Sequence, residues 1–360
     1  MDTSGRSLGV AKKQKKILKN NKAEAHLFFF FFFFFLIRFN NFSLRGFQME
    51  KIDLLVSARW IVPVVPHDVV YENHSVAVHL GKIVAIGPCE SLLTRFVASV
   101  HHDLRESNHA LIPGFVNAHT HASMTLLRSL VDNVELMDWL NNFIWPAEGR
   151  FVDETFIRDG TQLAIAEMIR SGVTTFLDMY FFPGVTANVV DEMGVRAGIS
   201  VPIIQFPTPW SRNEADAIRK GTAELLDKFA NQHPRIQPLL APHAPYTVSD
   251  SGFESVVALA KERGLRINTH LHETKFEVES PPERPIARLN KIGVLTSNTI
   301  VAHMVHVTEE EIRILSAKGV HVVHCPSSNL KLASGLCPVK ELIDAGKKHC
   351  STYHFPPFFL

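Results

Sequence analysis

Seven short apolar runs alternate with helical stretches through most of this 360-residue chain. The runs lie at 111–118, 173–178, 199–205, 236–241, 265–271, 299–303 and 319–324. Helical patterns lie between them, for example at 153–171, 213–232, 249–263 and 308–318. Gly172, Gly264 and Gly319 come directly after helical stretches, where a left-handed cap favours glycine. Strands that alternate with helices predict βα units and a parallel sheet. Seven such units predict a (β/α)8-type barrel in which about seven strands are present.

The segment before these units has a different pattern. Short β-rich runs at 52–56, 60–65, 75–80 and 82–86 are separated by turn residues. This spacing predicts a small antiparallel β unit. We therefore expect a small β domain at 49–110 and a catalytic βα barrel, incomplete, at 111–346.

Both ends of the chain differ from the rest. Residues 1–48 contain a cluster of lysines followed by Phe28 to Phe35 without interruption. The apolar stretch there is shorter than the roughly 20 residues that cross a membrane. We interpret 1–48 as a non-native or disordered extension, with a secretory signal or anchor as the alternative. We interpret 347–360 as an aberrant tail, because no apolar strand follows Gly346.

Composition and charge argue against two kinds of partner, nucleic acids and membranes, and indicate a cell compartment. The 37 basic and 36 acidic residues leave a net charge of +1, which argues against a nucleic-acid partner. No stretch is typical of a membrane span, so we expect no membrane partner. The four cysteines form no Cys-x-x-Cys pair, which favours a reducing compartment and a cytoplasmic protein.

An apolar run ends in two histidines, His119 and His121. Alternate side chains of a strand share a face, so both imidazoles are expected to point the same way. Zinc and iron accept neutral imidazole, and a catalytic site needs about three protein ligands and an open position. The pair therefore indicates half of a metal site. The alternative is two core histidines that bind backbone carbonyls.

More polar residues follow later apolar runs. They are His243, His270, Glu273 and His303. The carboxyl ends of barrel strands meet on one face, where the sites of such barrels lie. We expect these side chains to converge there with His119. His272 is an alternative ligand, since it lies two residues from His270.

The motifs resemble those of one known group of enzymes. From about Met49 to Gly346 the chain resembles the amidohydrolase superfamily, in particular its 5-methylthioadenosine/S-adenosylhomocysteine deaminase branch and the related chlorohydrolases. The resemblance rests on Pro113-Gly-Phe-Val-Asn-Ala-His-Thr-His-Ala-Ser-Met-Thr-Leu-Leu-Arg128, Ala241-Pro-His-Ala-Pro-Tyr246, His270-Leu-His-Glu-Thr274, Val301-Ala-His303 and His324-Cys-Pro-Ser-Ser-Asn-Leu-Lys-Leu-Ala-Ser-Gly335. It implies an α/β fold, a metal-dependent-hydrolase barrel with a small β-sandwich domain.

The resemblance also implies roles for single residues. His119, His121 and His270 match metal ligands, for one divalent ion that is zinc first and iron as the alternative. Glu273 matches a proton shuttle that also contacts the substrate. His303 matches a residue that polarises the attacking water or the leaving group.

Further residues match substrate contacts. Glu148 matches a ribose contact, Trp139 an aromatic wall of the pocket, and His243 another substrate contact. Their alternatives are a surface or helix-capping acid, a core aromatic and a loop histidine. Family members also hold the far end of S-adenosylhomocysteine with arginines, for which Arg212 and Arg219 are candidates by proximity.

These features predict a metal-dependent hydrolytic deaminase of adenosine-type nucleosides that releases ammonia. A chlorohydrolase or another heterocycle amidohydrolase is the first alternative. An inactive truncated fragment is the second, because the family's Gly-Thr-Asp-Gly motif, with its last metal-site aspartate, has no counterpart after Gly346. An open seven-stranded barrel would expose two sheet edges, which favours self-association into a homo-oligomer.

Overall fold

The computed structural model describes residues 49–131, 134–229 and 233–346. The chain divides into two compact units between Pro113 and Gly114. The expectations for residues 1–48 and 347–360 lie outside the described residues.

The first unit is a mixed sheet. Its strands are β1 (Glu50–Ile61), β2 (Tyr71–His79), β3 (Lys82–Pro88), β4 (Phe96–Leu104) and β5 (Ala110–Leu111), and a helix spans Cys89–Arg95. The strand order is β3-β2-β1-β4, and β5 also pairs with β1. Ile52, Leu55, Ala77, Leu92 and Phe96 form a core cluster in this unit.

The predicted runs between residues 52 and 86 do form antiparallel strands, but the unit also contains two parallel strands that the prediction did not include. β2 pairs antiparallel with β1 and β3, whereas β4 and β5 pair parallel with β1. The reason is the helix Cys89–Arg95, which carries the chain back so that β4 runs in the direction of β1. The predicted runs at 52–56 and 60–65 are not two separate strands. A single strand, β1, covers the first run and continues without a break to Ile61, inside the second.

The second unit contains seven parallel strands. They are β6 (Phe115–Thr120), β7 (Val173–Met179), β8 (Arg196–Ile203), β9 (Ile236–Pro242), β10 (Arg266–Leu271), β11 (Thr299–His303) and β12 (His321–Val323). Their order in the sheet follows the chain from β6 to β12. All seven predicted strands are therefore present. The first begins at Phe115 rather than residue 111, because Ala110–Leu111 pairs with β1.

Helices connect these strands. The α-helices are Leu136–Trp139, Trp145–Phe151, Glu154–Arg170, Pro183–Met193, Glu214–Gly221, Asp227–Phe229, Asp250–Arg263, Lys275–Glu279, Pro285–Ile292, Glu309–Lys318, Pro326–Lys331 and Val339–Ala345. A 3-10 helix spans Ala122–Leu127, and π-helical turns span Leu140–Ile144 and Thr222–Leu226. Gly172, Gly264 and Gly319 have φ angles of 80°, 66° and 69°, the left-handed conformation that was predicted.

The two ends of the seven-stranded sheet approach each other. Ala118 of β6 belongs to the same apolar cluster as Ala302 of β11, Val323 of β12 and Cys325. The sheet therefore curves into a nearly closed barrel, and the carboxyl ends of its strands converge. In the described ranges, no helix combines the length and apolar character needed to cross a membrane.

Candidate active site

Four imidazoles converge at the carboxyl ends of the barrel strands. His119 lies near the end of β6, with His121 directly after it. His270 is the second-last residue of β10, and His303 is the last residue of β11. The ring centroid of His119 is 5.0 Å from that of His121, 4.8 Å from His270 and 5.4 Å from His303. The structure thus brings together histidines that are up to 184 residues apart in the sequence (303 − 119).

Backbone carbonyls fix the tautomers of two of these rings. His121 Nδ1 donates to the Met179 carbonyl at 2.5 Å, and His270 Nδ1 donates to the His243 carbonyl at 2.8 Å. A carbonyl can only accept, so in each neutral ring Nε2 carries a lone pair. These two Nε2 atoms face each other at 3.3 Å. Facing lone pairs form no hydrogen bond, but they are suited to a shared cation.

The protonation states also fit a metal. Burial lowers the pKa of His121 to about 4 and that of His270 well below its usual value. Both rings are therefore neutral near pH 7, which is the form that binds transition metals. The donor set fits a divalent transition-metal ion such as zinc.

His303 is a fourth candidate ligand as well as a predicted catalytic residue. The ligand atoms of His119, His270 and His303 lie within 4.8 Å of one another. His303 Nδ1 lies 2.8 Å from Asn329 Oδ1 and 3.5 Å from Glu273 Oε1. Since Asn329 Oδ1 can only accept, the proton of neutral His303 is on Nδ1 and its Nε2 is left with a lone pair.

His272, the alternative ligand, is engaged elsewhere. Its Nδ1 lies 3.1 Å from the His306 carbonyl, and its Nε2 accepts from the Ile286 backbone N–H at 3.3 Å. Both ring nitrogens are therefore hydrogen-bonded to the backbone, and the His272 ring links the turn after β10 to neighbouring segments of the chain.

Glu273 is a buried acid beside these rings. Glu273 is 5 % exposed, and burial raises the pKa of its carboxyl group to about 8. The carboxyl group therefore carries its proton at neutral pH. A protonated carboxyl group next to a metal-type histidine cluster can act as a general acid.

Asp178, at the end of β7, holds the turn that carries His119 and His121. It accepts from the Ala122 backbone N–H at 2.6 Å and from Thr120 Oγ1 at 3.0 Å. Burial raises its pKa to about 6. Sequence reasoning missed this residue, although an acid at the end of an apolar run was a usable signal.

A large cleft opens from the histidines. The predicted residues Trp139, Glu148 and His243 line it together with Glu273 and the four histidines. Much of the remaining wall is apolar, formed by Met124, Leu127, Val131, Leu136, Leu140 and Ile144 among others.

The polar residues of the cleft are held by neighbours. Glu148 is 5 % exposed and accepts a hydrogen bond from the Tyr180 hydroxyl at 2.8 Å. Burial raises the pKa of Glu148 to about 7. His243 Nδ1 lies 3.0 Å from Thr247 Oγ1. Tyr180 also lines the cleft, and nothing in the sequence distinguished it.

The two arginines suggested by proximity lie elsewhere in the described structure. Arg212 and Arg219 both contact Asp216, at 3.7 and 2.7 Å, and their side chains are 83 % and 66 % exposed. The arginine that does line the cleft is Arg128, which pairs with Glu167 at 2.6 Å.

Comparisons with known proteins identify the family. Residues 110–353 match the model of the Amidohydrolase family. A 5-methylthioadenosine/S-adenosylhomocysteine deaminase of Saccharophagus degradans is 45 % identical over 302 residues, covering 83 % of this chain and 66 % of that protein. The deaminase of the same name from Aquifex aeolicus is 39 % identical, covering 83 % and 67 %. The chain thus spans about two thirds of the length of these relatives.

Solved structures of similar fold include an adenosine deaminase and a triazine hydrolase. An adenosine deaminase from Xanthomonas campestris with bound zinc has a TM-score of 0.79 and 44 % identity, covering 82 % of this chain and 68 % of that one. A triazine hydrolase is 20 % identical with a TM-score of 0.72, covering 81 % and 69 %, and it shows the shared fold alone.

Proposed function

This chain belongs to the amidohydrolase family, and we propose that it is a metal-dependent hydrolase that deaminates adenosine-type nucleosides and releases ammonia. The substrates that we propose are 5-methylthioadenosine and S-adenosylhomocysteine, as the names of its relatives suggest. One observation carries the proposal: neutral, buried imidazoles converge beside a protonated buried acid at the end of a large, mostly apolar cleft.

We assign the metal to His119, His121 and His270, with zinc first and iron as the alternative. When bound, such a metal lowers the pKa of water toward 7 and supplies an activated nucleophile at neutral pH. The carbonyls of Met179 and His243 orient the rings of His121 and His270, so that the Nε2 lone pairs of both rings are already positioned for metal binding.

Glu273 moves the proton. In hydrolytic deamination, water adds to the ring carbon, the ring nitrogen next to it gains a proton, and the exocyclic amine leaves as ammonia. Glu273 starts protonated and can give its proton to that ring nitrogen. Once ionised, it can take one proton from the added water and give it to the leaving amine, and then take the second proton of that water as the carbonyl forms and ammonia leaves, which restores its protonated state. His303, 3.5 Å from Glu273, is placed to orient the same water or the amine.

The remaining cleft residues bind the substrate. Glu148 offers a carboxyl group to a ribose hydroxyl, and Tyr180 holds that group in place. Trp139 offers an apolar wall and His243 a further polar contact. Cys89 and Cys325 are buried and form no disulfide, which supports a cytoplasmic location.

The test is ammonia release by the zinc-loaded chain from 5-methylthioadenosine, S-adenosylhomocysteine and adenosine. We expect turnover of at least one nucleoside and about one metal ion per chain. Glu273→Gln should lower kcat by roughly 10²–10⁴-fold, the usual contribution of a general acid. Glu262→Gln, an exposed acid on the helix Asp250–Arg263, is the matched control and should leave kcat unchanged.

Other outcomes would replace the proposal. Metal-loaded protein that releases chloride from a chlorotriazine, but no ammonia from a nucleoside, would favour the chlorohydrolase alternative. Folded protein that neither binds metal nor turns over a nucleoside would favour an inactive chain.

A further inference from the structure

The chain turns sharply between the end of β10 and Glu273. His270 and Leu271 end the strand, and His272 then adopts a φ angle of 54°. This left-handed conformation is unfavourable for a residue with a side chain. The turn brings the Glu273 carboxyl group to within 3.5 Å of His303 Nδ1. Contacts that hold this turn therefore decide where the Glu273 carboxyl group lies.

Glu277 makes two of these contacts. Its Oε1 accepts from the His272 backbone N–H at 2.7 Å, and its Oε2 accepts from the Glu273 backbone N–H at 2.8 Å. The residue is 3 % exposed, so water cannot readily replace either bond. Both carboxyl oxygens are thus used on two successive amides of one turn.

Glu277 is itself fixed in place. It lies in the short helix Lys275–Glu279, whose N-cap Thr274 accepts from the Glu277 backbone N–H. Helix and turn therefore form one closed unit of backbone and side-chain bonds. A shift of the Glu277 carboxyl group would move the backbone of Glu273.

We propose that Glu277 is a positioning residue that fixes the Glu273 carboxyl group for proton transfer. This rests on the proposed function, in which Glu273 is the proton carrier. Glu277 does not line the described part of the cleft and acts through the backbone of the turn.

The substitution Glu277→Gln tests the proposal at nearly constant size. An amide has one accepting oxygen and one donating nitrogen, so one of the two backbone N–H groups would face a donor. A displacement of about 1 Å at a reacting group can lower the rate by about 10²-fold. We expect kcat for 5-methylthioadenosine to fall by roughly 10–100-fold, with KM within about twofold and zinc content unchanged.

The double variant distinguishes positioning from general stabilisation. If Glu277 acts through Glu273, then Glu277→Gln should have no further effect on kcat in a Glu273→Gln background. Asp216→Asn is the matched control, since Asp216 is a buried acid that binds a backbone N–H outside the cleft. It should leave kcat unchanged. Equal losses in both Glu273 backgrounds, or loss of zinc in proportion to kcat, would overturn the proposal.

Amide hydrogen exchange supplies a readout that needs no activity. In Glu277→Gln the His272 and Glu273 amides should exchange at least about tenfold faster than in the parent chain, and in Asp216→Asn they should not. Glu277→Asp, which is too short to reach both amides, should behave as Glu277→Gln and serves if the latter does not fold. If the parent chain deaminates no nucleoside, the proposed function fails; unchanged exchange at both amides refutes the role of Glu277 by itself.

Discussion

Glu148 makes the stability of this protein depend on pH in a direction that can be measured. The residue is 5 % exposed, and burial raises the pKa of its carboxyl group from the usual 4.5 to about 7, while the hydrogen bond from the Tyr180 hydroxyl opposes that rise. The folded chain therefore holds a proton on Glu148 at pH values where the unfolded chain has released it. Between about pH 4.5 and 7, the folded state binds more protons than the unfolded state.

The sign and size of the effect follow from this difference. Because the folded state binds the extra proton, the free energy of unfolding falls as the pH rises from the unfolded pKa to the folded one. A shift of about 2.5 pKa units corresponds to about 3 kcal/mol once both states are ionised, above roughly pH 7. Replacing Glu148 with glutamine removes this contribution and keeps an oxygen that can accept from Tyr180.

The assay is urea unfolding of the parent chain and of Glu148→Gln at several pH values from 5 to 8. We expect Glu148→Gln to gain stability relative to the parent as the pH rises, approaching about 3 kcal/mol above pH 7. The same variant should raise KM for a nucleoside if Glu148 contacts the ribose. A stability difference that stays constant between pH 5 and 8 would refute the argument, since Glu148 would then ionise normally in the folded state.

Three further predictions concern packing, substrate binding and the metal. Gly160→Ala should destabilise the fold by about 1–3 kcal/mol in urea unfolding, because its Cβ would lie 2.5 Å from a backbone oxygen; Gly149→Ala, with open space around it, should not. Arg288→Lys should raise KM several-fold without lowering kcat, since Arg288 binds two carbonyls of the loop after His243; unchanged KM would contradict this. Zinc at 100 times its Kd should stabilise the parent chain by about 2.7 kcal/mol, and His119→Asn should abolish the resulting rise in Tm.

Much of the barrel could be predicted from the sequence because its strands are buried on both faces. Such strands are continuous apolar runs, and the seven runs all became strands of one parallel sheet. The histidines of the site follow these runs, so the geometry of a barrel was enough to expect His119, His270 and His303 to meet. The structure places them together; the division into ligands and catalytic residues remains a prediction.

The β unit was harder to predict for a related reason. β4 (Phe96–Leu104) has Val97, Val100 and Leu104 exposed by 41–49 %, so no clear apolar run marks it as a strand. Its parallel pairing with β1 depends on the helix before it, and short polar helices have weak patterns.

Three residues that bind backbone amides or a histidine ring of the site were also missed. Asp178 and Glu277 bind N–H groups of turns that follow β6 and β10, and Asn329 binds the ring of His303. Each contact depends on the path of the chain in a turn, which periodicity does not record. Contacts of this kind can be identified only from the three-dimensional path of the turns.

The same buried acids link stability to the proposed chemistry. Burial raises the pKa of Asp178 to about 6, of Glu148 and Glu277 to about 7, and of Glu273 to about 8. Each of them lowers the free energy of unfolding as the pH rises from its usual pKa toward its raised pKa in the folded chain, so this buried cluster of acids reduces stability at neutral pH. For Glu273, the same burial also supports its role in the proposed mechanism. Burial raises the pKa of the Glu273 carboxyl group from the usual 4.5 to about 8, which shifts it toward the protonated form. A general acid must carry a proton before it can donate one, so the burial that lowers stability also favours the protonation state that the proposed mechanism requires.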